Sequence, residues 1–406
     1  MERVEDIFER ALMSPIFKRR EVLLPDYVPE ELPHRDAEIA RLARILAPAL
    51  RGERPNNVFI FGLTGTGKTA VTRFVLRKLE AKAVEVNGNV KSIYVNVRHR
   101  ETPYRVLADI AESVGLRIPF TGLSTGEVYG RIVRWLRKKS GIFIIVLDEI
   151  DFLVRRHGDD ILYKLTRINE LLENSKVSLI GITNSVKFVE GLDPRVKSSL
   201  GEEEIVFPPY NADQLRDILE GRAREAFRPG VLDDEVIPLC AALAAREHGD
   251  ARRALDLLRV AGEIAERMGE YRVLPKHVHA ARMEIERDRV VEVVRTLPLH
   301  AKLLIASILA SSGGGRVRVT TGEVYDYYRK LVSLLGVEEV TFRRVSGIIG
   351  ELDMLGLISA RVTSRGRYGK TRLIELAVEP SALIQALSED PLLDGVLNIV
   401  ARDAGL

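Results

Sequence analysis

An eight-residue stretch near the start of the chain has the spacing of a phosphate-binding loop. GLTGTGKT, residues 62–69, fits the pattern G-x-x-x-x-G-K-[ST] and lies between a predicted strand and a predicted helix. Its glycines allow a tight turn whose backbone N–H groups can surround phosphate oxygens at a helix N-terminus. Lys68 would reach the β- and γ-phosphates, and Thr69 would ligate Mg²⁺. The sequence therefore predicts a site for ATP or ADP with Mg²⁺, formed by Gly62, Thr64, Gly65, Thr66, Gly67, Lys68, Thr69 and Ala70.

A second segment supplies the carboxylates that such a site needs. IFIIVLDEID places Asp148 and Glu149 directly after an apolar run that reads as a buried strand. Phosphate-bound Mg²⁺ requires a carboxylate at a strand end beside the loop, so Asp148 is predicted as a metal ligand together with Thr69. Glu149 is then placed to orient or deprotonate the attacking water. A solvated turn also gathers acids, but the apolar run before these two residues favours the catalytic interpretation.

Composition limits the classes of protein to which the chain can belong. Its 406 residues are enough for two or three domains, and 46% hydrophobic with 29% charged residues indicates a globular protein. The single cysteine, Cys240, excludes an internal disulfide framework and a multi-cysteine zinc site. No apolar run approaches membrane-spanning length, and the charged start MERVEDIFER is unlike a secretory signal. We therefore expect a cytoplasmic protein without membrane contact.

The order of predicted elements indicates three structural regions. Between residues 56 and 209, five short apolar runs alternate with helical patterns, which predicts a mostly parallel sheet flanked by helices. Only helical patterns follow, up to about residue 290. Beyond Thr296, three helical patterns and two alternating segments predict a winged helix-turn-helix. The predicted fold is an α/β nucleotide-binding core at 1–210, a helical domain at 211–292 and a winged-helix domain at 293–406.

The turn of the predicted C-terminal hairpin concentrates positive charge. No acid lies between Arg361 and Arg372, although the net charge of the chain is only +3. In a winged helix-turn-helix the second helix of the pair enters the DNA major groove, and Lys and Arg side chains of the hairpin neutralise phosphates of the backbone. The predicted DNA-binding residues are Arg343 and Arg344 on the third helix, with Arg365, Arg367, Tyr368, Lys370 and Arg372 on the hairpin. The alternative is that these cations only solubilise an exposed hairpin.

Taken together, these motifs resemble those of the AAA+ ATPases, and almost the whole chain resembles the archaeal replication initiators of the origin-recognition and cell-division-control-six family. Six phrases carry the resemblance: VPEELPHR, GLTGTGKT, VLDEID, DPRVKSSL, EEIVFPPY and GDARRALDLLR. The resemblance implies an AAA+ P-loop core, a helical lid and a C-terminal winged helix. It also implies binding of double-stranded origin DNA, help in loading the replicative helicase, and a nucleoid-associated monomer that assembles on DNA with other initiator paralogues.

The resemblance implies roles for several further residues. Asn184, at the end of SLIGITNS, matches the first AAA+ sensor, which contacts the γ-phosphate or the water. Arg195 of DPRVKSSL matches the arginine that reaches a neighbouring subunit's nucleotide, with Lys197 as a substitute. Arg252 of GDARRAL matches the second sensor, which touches the bound phosphates. The alternative for Arg252 is simple pairing with acids on an exposed helix.

Two other segments resemble parts of these initiators. YVPEELPHR resembles the segment that walls the adenine, which makes Val28 and Arg35 candidates, with Tyr210 on the opposite side. Tyr27 and His34 are weaker candidates in the same segment, and each of these residues could instead only pack. The loop between the second strand and the Asp148 strand resembles a DNA-touching insertion, and its predicted tip is Phe120, Thr121, Leu123 and Ser124. An ordinary loop is an equal alternative there.

The division of catalytic groups between chains predicts slow chemistry. If hydrolysis requires the Arg195 of a neighbouring copy, an isolated monomer turns over slowly, because such an arginine is worth several orders of magnitude in rate. We therefore expect a weak ATPase that acts as a nucleotide-controlled switch.

Two other functions fit parts of this sequence pattern. A clamp loader would end in a helical oligomerisation domain, and a signalling ATPase would use its winged helix for transcriptional regulation or protein docking.

Overall fold

The computed structural model describes residues 14–100, 102–119, 121–315, 317–364 and 370–405. The chain divides into two compact units, Met1–Val278 and His279–Leu406, and the boundary falls inside one long helix. Among the described residues, no helix is both long enough and apolar enough to cross a membrane. Each unit contains its own buried apolar core.

The first unit is built on a five-stranded sheet in which every pairing is parallel. The strands are β1 Val58–Gly62, β2 Val90–Asn96, β3 Gly141–Asp148, β4 Ser175–Thr183 and β5 Glu203–Phe207. Their order is β2-β3-β4-β1-β5, so β1 and β3 lie on either side of β4. All five strands predicted from the sequence are present, and the predicted parallel α/β core is confirmed.

Helices cover both faces of this sheet, which explains why its strands are apolar at nearly every position. Side chains such as Phe59 and Ile145 enter one core cluster, while their neighbours Ile60 and Val146 enter another. Since both faces are buried, the period-two alternation of a half-exposed strand is absent. The flanking helices are α1 Asp36–Leu46, α2 Lys68–Glu85, α3 Pro103–Ser113, α4 Thr125–Arg137, α5 Ile150–His157, α6 Asp160–Thr166 and α7 Pro194–Leu200.

A helical region follows the sheet, as predicted. It contains α8 Ala212–Ala226, α9 Val236–Arg246, α10 Ala251–Arg267 and the start of α11 Pro275–Arg295. α8 begins with a reciprocal capping box between Asn211 and Gln214, so its N-terminal position is encoded locally. The rings of Phe17 and Phe227 pack 4.8 Å apart against α10, which fastens the segment around Phe17 to this region.

The second unit is a winged helix with two helices beyond the hairpin. α12 Leu299–Ser311, α13 Thr321–Leu335 and α14 Phe342–Met354 match the three predicted helices, and β7 Ile358–Ser364 pairs with β8 Lys370–Leu376 as the predicted hairpin. The structure adds β6 Val319–Thr320, which completes an antiparallel sheet of order β6-β8-β7. It also adds α15 Pro380–Ser388 and α16 Asp394–Ala404, whose apolar residues pack into the core of this second unit.

Short 3₁₀ helices lie in both units, at Arg20–Leu23, Ala47–Arg51, Val97–His99, Ile168–Leu171, Val186–Gly191 and Pro391–Leu393.

Two helical glycines provide a matched test of this packing. A Cβ at Gly262 in α10 would lie 2.5 Å from Phe17 Cζ, whereas a Cβ at Gly130 in α4 would have nothing within 4 Å. We expect Gly262→Ala to destabilise the protein by about 1–3 kcal/mol through overpacking, despite alanine's better helix propensity. Gly130→Ala should stabilise by about 0.5–1 kcal/mol. Thermal denaturation followed by circular dichroism measures both, and shifts of the same sign would contradict the packing described.

Candidate functional site

The phosphate-loop candidate forms a tight turn between β1 and α2. Gly65 and Gly67 have φ of 72° and 89°, in the left-handed region that side chains disfavour. A Cβ at Gly62 would lie 2.4 Å from the carbonyl oxygen of Phe207, so glycine is required there by close approach rather than by φ. α2 then begins at Lys68 with Gly67 at its N-cap. The turn therefore directs free N–H groups and a helix N-terminus toward one point.

Lys68 lies folded back on the loop that carries it. Its ammonium donates to the carbonyl oxygens of Gly62 at 2.9 Å and Leu63 at 2.6 Å, and the residue is only 6% exposed. Burial lowers the pKa of Lys68 to about 8, against the opposing effect of Asp148. A buried ammonium that is hydrogen-bonded to neutral carbonyls can exchange them for an anionic partner.

A cavity of about 1230 Å³ opens above this loop. That volume exceeds a typical small-molecule pocket, and loop, strand ends and helical region all contribute to its walls. Most of the predicted nucleotide residues line it. These are Val28, Thr64, Gly65, Thr66, Gly67, Lys68, Thr69, Ala70, Asp148, Glu149, Asn184, Tyr210 and Arg252. Gly62, Arg35 and Arg195 are not among the lining residues.

One corner of the cavity carries the predicted metal ligands. The hydroxyl of Thr69 donates to Asp148 Oδ2 at 2.6 Å, and Asp148 is 4% exposed. Among the residues that the structure describes, no group of three or more His, Cys, Asp or Glu side chains is arranged to hold a metal ion. A hydroxyl and one carboxylate nevertheless fit Mg²⁺, which takes few protein oxygens and completes its shell with phosphates and water.

The same corner contains residues that the sequence did not single out. The Tyr94 hydroxyl donates to Asp148 Oδ2, and the guanidinium of Arg73 lies 4.2 Å from the centre of the Tyr94 ring. Asn96, at the end of β2, and Arg98, in the 3₁₀ helix that follows, also line the cavity. These residues could be predicted only if the pairing of β2 with β3 were known, because that pairing places Asn96 opposite Asp148. Strand order is not readable from a single sequence.

Glu149 is held in an unusual backbone conformation at the edge of the cavity. Its φ of 59° is left-handed, and it directly precedes α5. Asn184 Nδ2 donates to Glu149 Oε1 at 3.4 Å, and Arg98 Nη1 lies 3.8 Å from the same oxygen. The structure therefore brings together the predicted catalytic glutamate and the predicted first sensor.

The two predicted phosphate-contacting arginines occupy different positions. Arg252 lines the cavity at the start of α10, where the Asp250 carboxylate accepts from its backbone N–H at 2.8 Å. Arg253 instead bonds Glu247 at 3.0 Å, which supports the assignment of Arg252. Arg195 lies outside the cavity, where it is 65% exposed and pairs with Asp193 at 2.9 Å. Arg195 therefore does not reach the nucleotide site of its own chain.

Arg35 was predicted to wall the base, and the structure contradicts that expectation. Its side chain is 2% exposed and faces protein on every side. Arg35 donates to the carbonyls of Thr66 at 3.0 Å and Pro208 at 2.6 Å, and to the Tyr210 hydroxyl at 2.9 Å. The Tyr210 ring lies 3.8 Å from the guanidinium carbon. Arg35 thus supports the phosphate loop from behind, because each of its three guanidinium nitrogens donates to another part of the chain.

Of the other residues predicted to contact the adenine base, some line the cavity and one does not. Tyr27 and Val28 line the cavity, and the Tyr27 ring lies beneath the guanidinium of Arg222 at 4.8 Å. His34 is absent from the lining, although its ring nitrogen bonds Asp217, a lining residue, at 2.7 Å. The 3₁₀-containing N-terminal segment and α8 therefore form the outer wall of the cavity together.

The DNA candidates of the winged helix are only partly open to a ligand. α14 begins at Phe342, so Arg343 and Arg344 lie in its exposed first turn, although Arg344 bonds Glu351 at 2.9 Å. Arg372 is engaged within the chain, since its guanidinium donates to the Ser346 carbonyl at 2.8 Å. The predicted wing residues Arg365, Arg367 and Tyr368 lie outside the described residues, as does the side chain of Lys370.

Two residues of the predicted tip of the insertion make contacts within the protein. Ser124 caps α4 by accepting from the backbone N–H of Glu127 at 3.1 Å, and Leu123 packs against the core. Thr121 is exposed. A cationic cleft of about 390 Å³, which the sequence reading missed, lies beside this loop. Its lining is Leu116, Arg117, Ile118, Arg131, Arg134, Trp135 and Lys138.

Family models match all three regions of the chain. Residues 51–187 match an AAA domain, residues 216–283 match the Cdc6 AAA+ ATPase-type lid domain, and residues 292–386 match the CDC6 C-terminal winged helix domain. The matched regions follow one another in the order that the sequence predicted. The AAA+ core and the winged helix are therefore confirmed.

Relatives match over nearly their full length. ORC1-type DNA replication protein 1 of Aeropyrum pernix is 66% identical over 396 residues, covering 97% of this chain and 100% of that protein. The protein of the same name from Sulfurisphaera tokodaii is 60% identical over 386 residues, covering 95% and 96%. The solved structure of the Aeropyrum pernix ORC1 protein in complex with DNA superposes with a TM-score of 0.85 at 67% identity, covering 94% of this chain and 99% of that one. The resemblance inferred from the motifs is confirmed, and the chain belongs to the ORC1-type DNA replication proteins.

Proposed function

We propose that this replication initiator is switched by ATP or ADP and binds duplex origin DNA through its winged helix and its AAA domain. The observation that carries the proposal is the combination, in one chain, of the cavity over GLTGTGKT with a winged helix whose α14 begins with exposed arginines. The Aeropyrum pernix relative, 67% identical, was solved in complex with DNA, which supports the DNA-binding part.

Nucleotide binding uses groups that already converge on the cavity. The ammonium of Lys68 exchanges two neutral carbonyls for phosphate oxygens, which form stronger charge-assisted bonds. Backbone N–H groups of the loop and the N-terminus of α2 hold the same phosphates. Thr69 and Asp148 would hold Mg²⁺, whose charge would offset the negative charge on the phosphates. Arg252 approaches from the helical region and responds to the bound phosphates.

Hydrolysis is slow in a single copy under this proposal. Glu149 orients the attacking water, and Asn184 holds the glutamate and contacts the water or the γ-phosphate. Arg195 is outside its own cavity, and its exposure suits a role at the nucleotide of a neighbouring copy. An isolated chain therefore behaves as a switch rather than as a rapid-turnover enzyme, because the charge-stabilising arginine comes from another molecule.

The proposal also includes the boundaries of the three domains and the macromolecules that the protein binds. We place the AAA+ core at 1–210, the lid at 211–292 and the winged helix at 293–406; the matched lid range of 216–283 and winged-helix range of 292–386 support this division. The protein acts on nucleoid DNA in the cytoplasm as a monomer that assembles on the duplex. Other initiator paralogues and the replicative helicase are its protein partners.

The depressed pKa of Lys68 predicts proton uptake on nucleotide binding. The pKa is about 8 in the nucleotide-free protein, and bound phosphates raise it. Between these two values the complex holds more protons than the free protein, so affinity should fall by up to about tenfold per pH unit above pH 8. Calorimetry in buffers of different ionisation enthalpy measures the uptake. Lys68→Arg keeps its charge and should show no pH dependence there; a flat wild-type profile would contradict the prediction.

DNA binding is tested by fluorescence anisotropy across a salt series. We expect Arg343→Ala, Arg367→Ala and the double variant to bind duplex DNA more weakly, with the salt slope reduced by roughly one for each lost phosphate contact. Arg329→Ala is the matched control, since Arg329 is an exposed arginine of the same domain that bonds Glu339. Random and origin-derived duplexes are compared. Equal, weak binding by every protein would replace the DNA role of the winged helix with protein docking.

A further inference from the structure

Tyr94 reaches the metal corner of the cavity from the strand beside β3. It lies on β2, where it pairs in register with Val146, two residues before Asp148 on β3. Its ring is partly buried among the core residues that pack behind the phosphate loop, and its hydroxyl donates to Asp148 Oδ2. Arg73 of α2 covers the ring at 4.2 Å. The position of the hydroxyl is therefore determined by both a strand and a helix.

Two hydroxyl groups converge on a single carboxylate oxygen. Asp148 Oδ2 accepts from Thr69 at 2.6 Å and also from Tyr94. With one oxygen fixed by two donors, rotation of the carboxylate is restricted and Oδ1 keeps a defined direction.

This arrangement has the form of an outer-shell contact. Residues that bond a ligating carboxylate orient it and adjust metal affinity without touching the ion. We propose that Tyr94 is a positioning residue for the divalent cation that accompanies bound nucleotide, acting through Asp148, with Arg73 holding the tyrosine ring in place. The inference rests on the proposed nucleotide function and extends it to a residue on β2.

Phenylalanine at position 94 keeps the ring and removes only the donor. The control is Tyr104→Phe, because the Tyr104 hydroxyl bonds the Pro119 carbonyl away from the cavity and its ring also packs on a core cluster. The full-length protein is stripped of nucleotide and titrated with a fluorescent ADP analogue, first in EDTA and then at increasing Mg²⁺. Melting temperatures of the nucleotide-free variants show whether either substitution disturbs folding.

We expect Tyr94→Phe to keep the wild-type affinity in EDTA while the Mg²⁺ concentration for half-maximal enhancement rises about tenfold, as for the loss of other outer-shell partners. Tyr104→Phe should leave both quantities unchanged. In an Asp148→Asn background, Tyr94→Phe should have no further effect, because both changes act on one carboxylate.

The alternative outcomes separate this inference from the function on which it rests. A Tyr94→Phe protein with the wild-type Mg²⁺ response, or with a stronger one, overturns the positioning role and leaves the nucleotide site intact. An equal loss of affinity with and without Mg²⁺ also overturns it, since the hydroxyl would then act on the nucleotide or on folding. If the wild type binds the analogue equally with and without Mg²⁺, the proposed metal site falls together with this inference.

Discussion

The buried guanidinium of Arg35 is the contact on which the geometry of the nucleotide site depends. It joins three segments that are distant in sequence. These are the N-terminal segment that carries Arg35 itself, the phosphate loop through Thr66, and the residues after β5 through Pro208 and Tyr210. A charge with 2% exposure is tolerated only because every face is used, by carbonyls, by the Glu38 carboxylate at 3.1 Å and by an aromatic ring. Loss of the donor would leave buried carbonyls unsatisfied, at about 1–3 kcal/mol each.

The helical region contacts the phosphate loop directly. Gly65 lacks a side chain where the Asp250 carboxylate comes within 1.7 Å of an ideal Cβ, and the Ala251 N–H donates to the Gly65 carbonyl at 3.2 Å. Arg252 follows immediately and lines the cavity. One short segment therefore both contacts the phosphate loop and supplies the arginine that lines the cavity.

The winged helix uses its positive residues for two purposes. Arg372 ties the hairpin to α14 through the Ser346 carbonyl, and Arg344 pairs with Glu351 along the same helix. Arg343, in the exposed first turn of α14, is left as the described candidate for groove contact. A charge run in the sequence therefore combines residues that hold the domain together with residues that face outward, and only contacts distinguish the two.

Local signals determined much of this protein from the sequence alone. The turn geometry of GLTGTGKT, the apolar run before Asp148 and the alternation of strands with helices are encoded within a few residues of one another, so the five strands, the phosphate loop and the winged helix were predicted. The tertiary structure decided which strand lies beside β3, and with it the place of Tyr94 at Asp148. It also turned Arg35 away from the ligand and Arg195 away from its own cavity. A residue's type shows which bonds it can form, but its partners depend on segments that only folding brings together.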